Sequence, residues 1–200
     1  MTQQRLNSEA QILDLLANRW SSRAFDNTQA VEAEKLRACL EAARWSPSCF
    51  GDEPWRFVVA NRSSHAEGWQ KMLATLADKN QLWAKHAPVL ILACSARHFA
   101  HNGADNRWSQ YDTGQAMMSL ALQATADGLM THTMGGFDPI AIAKAFHIPD
   151  DFTPMSVIAI GYPAEINTLD ESFHSMEKAG RQRKALRDIA FTSWGEGWQA

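Results

Sequence analysis

Val89-Leu90-Ile91-Leu92-Ala93, entered from Pro88, is a run of apolar residues without polar alternation. Its length suits a strand, and the lack of alternation means that both faces must be covered. It therefore belongs in the middle of a sheet with a layer on each side. Working outward, Trp55 to Ala60 (WRFVVA) is rich in β-formers and Met155 to Tyr162 (MSVIAIGY) is a second buried strand. Leu129 to Met134 leads into a Gly-Gly turn.

Between these runs the spacing becomes helical. Leu36, Cys39, Leu40 and Ala43 predict a helix from Ala33 to Arg44, stopped before Pro47. Trp69, Leu73 and Leu76 predict one from Ala66 to Ala77. Asp112 to Asp127 (with MMSLALQA) is apolar nearly all round, so it must be enclosed, and Gly128 is its left-handed terminator. Asp138-Pro139 supplies a cap and a first-turn proline for a helix reaching about Phe146. Near the start, Ser8 is placed to cap a helix that ends near Asn18 and buries Ile12, Leu13, Leu15 and Leu16. Helices packed on a short sheet predict one α+β or α/β layer domain spanning 1–200. The segment from about Pro163 to Ala200 is polar, then basic (RQRKALRDIAF), and is expected to wrap the parent domain or a partner subunit.

With 200 residues, 46% of them hydrophobic, the chain can close one sizeable core. A formal net charge of -3 gives no general attraction to nucleic acid or an anionic bilayer, so an anionic ligand must be met locally. No apolar run approaches a membrane span and the first residues lack a signal-peptide core, which predicts a cytoplasmic protein. Cys39, Cys49 and Cys94 are odd in number and widely spaced, against a disulfide framework or zinc site.

Most of the unusual residues fall in loops: RWSSR (Arg19 to Arg23), PSCFGDEPW (Pro47 to Trp55), TMGGFD (Thr133 to Asp138) and the basic RQR from Arg181. Paired arginines with hydroxyls between them suit a phosphate, through bidentate charge-assisted hydrogen bonds. On charge pattern alone, the plainer reading is that Arg19 and Arg23 pair with surface acids. His98 and His101 have no third ligand at useful spacing, so no metal site is expected. No Gly-x-Gly-x-x-Gly, Walker loop or nucleophile elbow is present.

In Arg19-Trp20-Ser21-Ser22-Arg23-Ala24-Phe25-Asp26, the Ala-Ala-Arg-Trp-Ser-Pro-Ser stretch from Ala42, the Pro-Trp before a strand, Asn80, the helix opening at Asp112, Gly136-Phe137-Asp138 and Arg181 to Leu186, the chain resembles the FMN-dependent nitroreductase family. The match runs in order from about Leu13 to Ile189. The resemblance implies a three-layer α/β/α sandwich around a short mixed sheet, with the C-terminal segment exchanged in a homodimer and FMN at the subunit interface.

The same resemblance implies that Arg19, Ser21, Arg181 and Arg183 meet the FMN phosphate and that Arg23 lies by N1 and the C2 carbonyl. Gly135 and Gly136 would approach N5, Asn80 the pyrimidine edge, and Ser48 and Cys49 the ring or ribityl. Trp20, Pro47 and Met134 are counted with these flavin-contacting positions. Phe99, His101 and Trp108, in the stretch joining the central strand to the long helix, are the candidates for substrate contact. That stretch implies a shorter cover over the flavin than in relatives with a separate helical lid.

The implied activity is ping-pong reduction of nitroaromatics, quinones or similar acceptors by NADH or NADPH, with no catalytic side chain assigned. Two alternatives keep the fold: a non-redox flavin-binding or flavin-modifying relative, and a structural dimer that has lost FMN. Gly51 and Glu53, where many members have Asn and Gln, and Gly135, where some have Glu, would be signs of the latter.

Overall fold

In the computed structural model, which describes residues 8–198, the apolar run is the centre of strand β2 (Val89–Ala96). Its side chains divide strictly by parity. Leu90, Leu92 and Cys94 join one core cluster and Val89 and Ile91 another, as the two-residue repeat of a strand requires. The sheet order is β1 (Trp55–Asn61), β2, β4 (Phe152–Gly161), β3 (Met130–Met134). All of its pairings are antiparallel, which corrects the expectation of a mixed sheet: each strand reverses on its hydrogen-bonded neighbour. A register shift between Ala93 and Cys94 interrupts the β2–β4 ladder.

Helices cover both faces, giving the three expected layers. On one face lie α2 (Ala33–Arg44) and α5 (Ser109–Ala126), packed through Leu36, Cys39, Ala43, Ala116, Leu120 and Ala124. On the other lie α3 (Ala66–Ala74), α4 (Asp78–Ala84), α6 (Pro139–Ala145) and α7 (His174–Lys178), contributing Trp69, Met72, Trp83 and Ile142 to the core beside Phe173. Gly128 ends the α5 region at φ +76°, and Asp138 caps α6 by accepting from the amides of Ile140 and Ala141. Cys39 and Cys94 are buried free thiols whose pKa desolvation pushes up to about 11, the proximity of Asp127 adding to the shift at Cys39.

Two expectations change. The predicted Ala66–Ala77 helix breaks at Thr75, whose hydroxyl donates back to Met72 O, and a separate α4 follows. The first helix, α1, is only Asp14–Asn18; Ser8 does not cap it but bonds Ala10 O, and Leu13 is 72% exposed. A five-residue helix with no core of its own to face buries none of its residues. Within the chain, the tail returns to the body at several points up to residue 186. Phe25 bridges Pro163, Arg181 reaches Ala17 and Arg19, and the Leu186 amide donates to Glu9. Beyond it comes the hairpin of β5 (Phe191–Ser193) and β6 (Glu196–Gly197), with Trp194 95% exposed.

The enclosure expected of α5 is partial, since Tyr111 and Met118 are exposed alongside Leu13, Leu15 and Leu16 of the α1 region. No helix among the described residues is long and apolar enough to cross a membrane.

Candidate functional site

The fold brings the two basic segments together. Arg181 donates from Nη1 to Arg19 O at 2.9 Å and from Nη2 to Ala17 O, capping the carbonyl end of α1 with a cation. Its Nε is buried without a hydrogen-bond partner among the described residues. Burial lowers the pKa of Arg19, and the charges of Arg181 and Arg183 lower it further; burial and then Arg183 do the same to Arg181. Three guanidinium groups crowded this way raise one another's electrostatic energy, and a bound anion relieves it.

Next along the loop, Arg23 is paired, but not with a surface acid. Glu177 of α7, its side chain 3% exposed, accepts from Arg23 Nη1 at 3.1 Å, from the Arg23 amide at 3.2 Å and from Ser22 Oγ at 3.2 Å. The Arg23 guanidinium lies 6.0 Å from the Trp83 ring centroid. On that ring's other contacts, His132 of β3 packs at 4.4 Å and Phe25 at 6.2 Å. His132 Nδ1 is 3.0 Å from Ser22 O, while burial, followed by the Arg23 charge, pushes its pKa down to about 4. A neutral imidazole therefore underlies the Arg23 loop at neutral pH.

Asn80 Nδ2 donates to Gly136 O at 3.0 Å, and the Ala77 amide donates to the same oxygen. A Cβ on Gly136 would lie 2.9 Å from Asn80 Nδ2, so glycine permits this approach, whereas Gly135 faces open space. The Met134 side chain lies in the core, because β3 turns that position inward. Trp20 is half-buried and Ser21 exposed beside this group.

The other sequence candidates gather at a second place. Pro47 is exposed, Ser48 Oγ accepts from the Glu53 amide at 3.0 Å, and the Cys49 amide donates to buried Asp112 at 2.9 Å. This loop holds Phe50, Gly51 and Glu53 at φ of 57°, 66° and 48°. Left-handed geometry suits Gly51 and is strained for the other two. Phe50 is 83% exposed and meets Phe99 at 5.8 Å and His101 at 5.5 Å between ring centroids. Asp52 fastens the two loops by accepting from the Ala100 amide and from Asn106. Trp108 sits apart from the Phe50 cluster, under Arg107 and edge-on to Tyr111.

Hollows of about 630 Å³, beside Phe25, His86 and Pro163, and about 430 Å³, beside Asp52, His98 and Phe99, border these groups without enclosing the arginines. Among the described residues no cluster of three or more His, Cys, Asp or Glu could hold a metal ion.

Sequence reasoning missed Glu177, His132, Phe50 and Asp112. Glu177 is an isolated acid shortly before the basic RQR in a polar tail, and His132 is the lone polar ring in its strand; neither spacing reveals a partner. Phe50 lay inside a loop already singled out, where a bulky apolar residue next to Gly51 was the available signal.

Residues 16–162 match the nitroreductase family. A solved structure described as an oxidoreductase containing FMN is 35% identical, with a TM-score of 0.89 and 96% of each chain covered. An uncharacterized 15.4 kDa protein of Mycolicibacterium smegmatis is 34% identical over 70% of this chain and 97% of its own length. A protein of Methanothermobacter thermautotrophicus, named as a candidate NADH dehydrogenase/NAD(P)H nitroreductase, is 29% identical over 79% of this chain and 80% of its own. The match over most of the sequence, together with the three-layer fold, makes this chain a member of the nitroreductase family.

Proposed function

We propose that the chain is an FMN-dependent oxidoreductase that draws electrons from NADH or NADPH and reduces small organic acceptors such as nitroaromatics or quinones. The arginine cluster carries this reading: Arg19, Arg181 and Arg183 crowd together on a chain of net charge -3, with the buried Nε of Arg181 lacking a partner among the described residues. That donor set fits a phosphate dianion. The FMN of the solved relative and the nicotinamide-linked name of the Methanothermobacter thermautotrophicus protein support the same conclusion.

When bound, FMN supplies the hydride chemistry, accepting from the nicotinamide and delivering to the acceptor in separate half-reactions. The residues of this chain bind and orient. Arg19, Arg181 and Arg183, with the Ser21 hydroxyl, hold the phosphate, and Trp20 flanks them. Arg23 and Asn80 address the pyrimidine edge. Gly135 and Gly136, with the Met134 backbone, leave room for the ring to approach the end of β3.

A homodimer completes the site. The second copy covers the exposed apolar side chains of α1, α5 and the terminal hairpin, and brings Pro47, Ser48 and Cys49 to the flavin. Phe99 and His101, joined by Phe50, then rim the face on which nicotinamide and acceptor alternate, with Trp108 beside Tyr111 a separate candidate for substrate contact. No side chain is assigned as an acid or base.

The test is a visible spectrum of the purified protein with FMN, taken before and after anaerobic addition of NADH or NADPH. Bound-flavin bands that bleach with either nucleotide are expected. A protein that retains no flavin contradicts the site assignment, and one whose bound flavin stays oxidised contradicts the nicotinamide-linked reaction.

A further inference from the structure

Glu177 presents a problem that hydrogen bonding alone does not answer. A carboxylate is costly to bury, and this one, 3% exposed, is held against Ser22 Oγ, the Arg23 amide and Arg23 Nη1 at 3.1–3.2 Å. A glutamine would satisfy the same groups. Its carbonyl can accept from Arg23, and the Ser22 hydroxyl can turn to accept from its amide. What the carboxylate adds is charge, placed on Arg23 from the tail, 154 residues away along the chain.

We propose that Glu177 is a positioning residue that fixes Arg23 against Trp83 and offsets its charge, and so lowers the reduction potential of the flavin. The inference rests on the FMN reading above. A flavin gains negative charge on reduction, and a bare cation beside it favours the reduced form. Where Arg23 is half of a close ion pair, its field at the ring is reduced, and the burial of the Glu177 carboxylate limits screening of that compensation by water. The same contact ties the tail to the RWSSR loop at Ser22 and Arg23, while Arg181 ties it again at Ala17 and Arg19. Charge at the ring edge and the phosphate-binding arginines are thereby set by one segment.

The experiment is an anaerobic redox titration of the full-length, FMN-loaded protein as wild type, Glu177→Gln and Glu177→Asp, with a thermal melt of each. The charge account predicts that Glu177→Gln favours reduced over oxidised FMN by about tenfold, a potential rise of about 30 mV for a two-electron couple. Glu177→Asp, which keeps the charge, stays near wild type. A Gln variant at the wild-type potential overturns the proposal, as do Gln and Asp variants that shift together. A Gln variant that does not fold makes the carboxylate a folding requirement and also overturns it. Failure of the wild type to bind FMN is a separate result that removes the function reading itself.

Discussion

The two halves of the candidate site are built by opposite means. The cationic half, from Arg19 to Arg23 with His132, Glu177 and Arg181, is fixed by buried and half-buried long-range bonds between the first loop, β3 and the tail. The aromatic half, Phe50 with Phe99 and His101, lies toward solvent on a loop with positive φ at Phe50, Gly51 and Glu53 and is held mainly by Asp52 and Asp112. Preorganised charge suits a part of the ligand that is always the same. A yielding aromatic rim suits partners that alternate and differ in shape. The difference teaches that substitutions in the first half should act on cofactor affinity, potential and stability, and those in the second on the acceptor.

The largest expected effect lies on acid stability. The pKa of His132 is about 4 in the folded chain, below its unfolded value, because burial and then Arg23 oppose its charge. The unfolded state therefore binds the proton more readily. Stability is complete above the unfolded value near pH 6.5 and falls as pH drops toward 4, by up to about 3 kcal/mol. Denaturant titrations across that window should follow this slope, and His132→Gln, which can still donate to Ser22 O, should flatten it. An unchanged slope in the variant would assign the acid sensitivity elsewhere.

Arg181→Ala comes next. It removes one cation of three and the bonds to Ala17 and Arg19, and is expected to weaken FMN binding by about 2 kcal/mol, roughly 30-fold. Equilibrium fluorescence titration measures it, and wild-type affinity in the variant would break the assignment of this half. Phe50→Ala is the smallest. With its side chain in solvent it should change stability by less than about 0.5 kcal/mol and leave FMN affinity alone, while raising KM for aromatic acceptors several-fold. Loss of FMN in that variant would erase the distinction between the halves.

The layered core was legible because burial writes itself into spacing: Val89 to Ala93, the Ala33–Arg44 helix and the Asp138-Pro139 cap all lie where the pattern puts them. The break between α3 and α4 was not, because Thr75 to Ala77 carries neither glycine nor proline and Leu76 continues the apolar spacing. At the site, the arginines could be read as a group, since charge stands out on a weakly acidic chain. The Glu177 contact could not, because a pairing across 154 residues depends on where the tail returns. The leucines around α1 show the opposite failure. Their pattern predicts burial, and within one chain they remain exposed, the surface that the proposed dimer would cover.

The central claim is that the cluster of Arg19, Arg181 and Arg183 receives the flavin phosphate. Its most direct test compares the affinity of the purified protein for FMN with that for riboflavin, which has the same ring and ribityl chain but no phosphate. Charge-assisted contacts to the phosphate predict that FMN binds at least about 100-fold more tightly, close to 3 kcal/mol, with the preference shrinking in Arg181→Ala. Equal affinity for the two flavins would contradict the account.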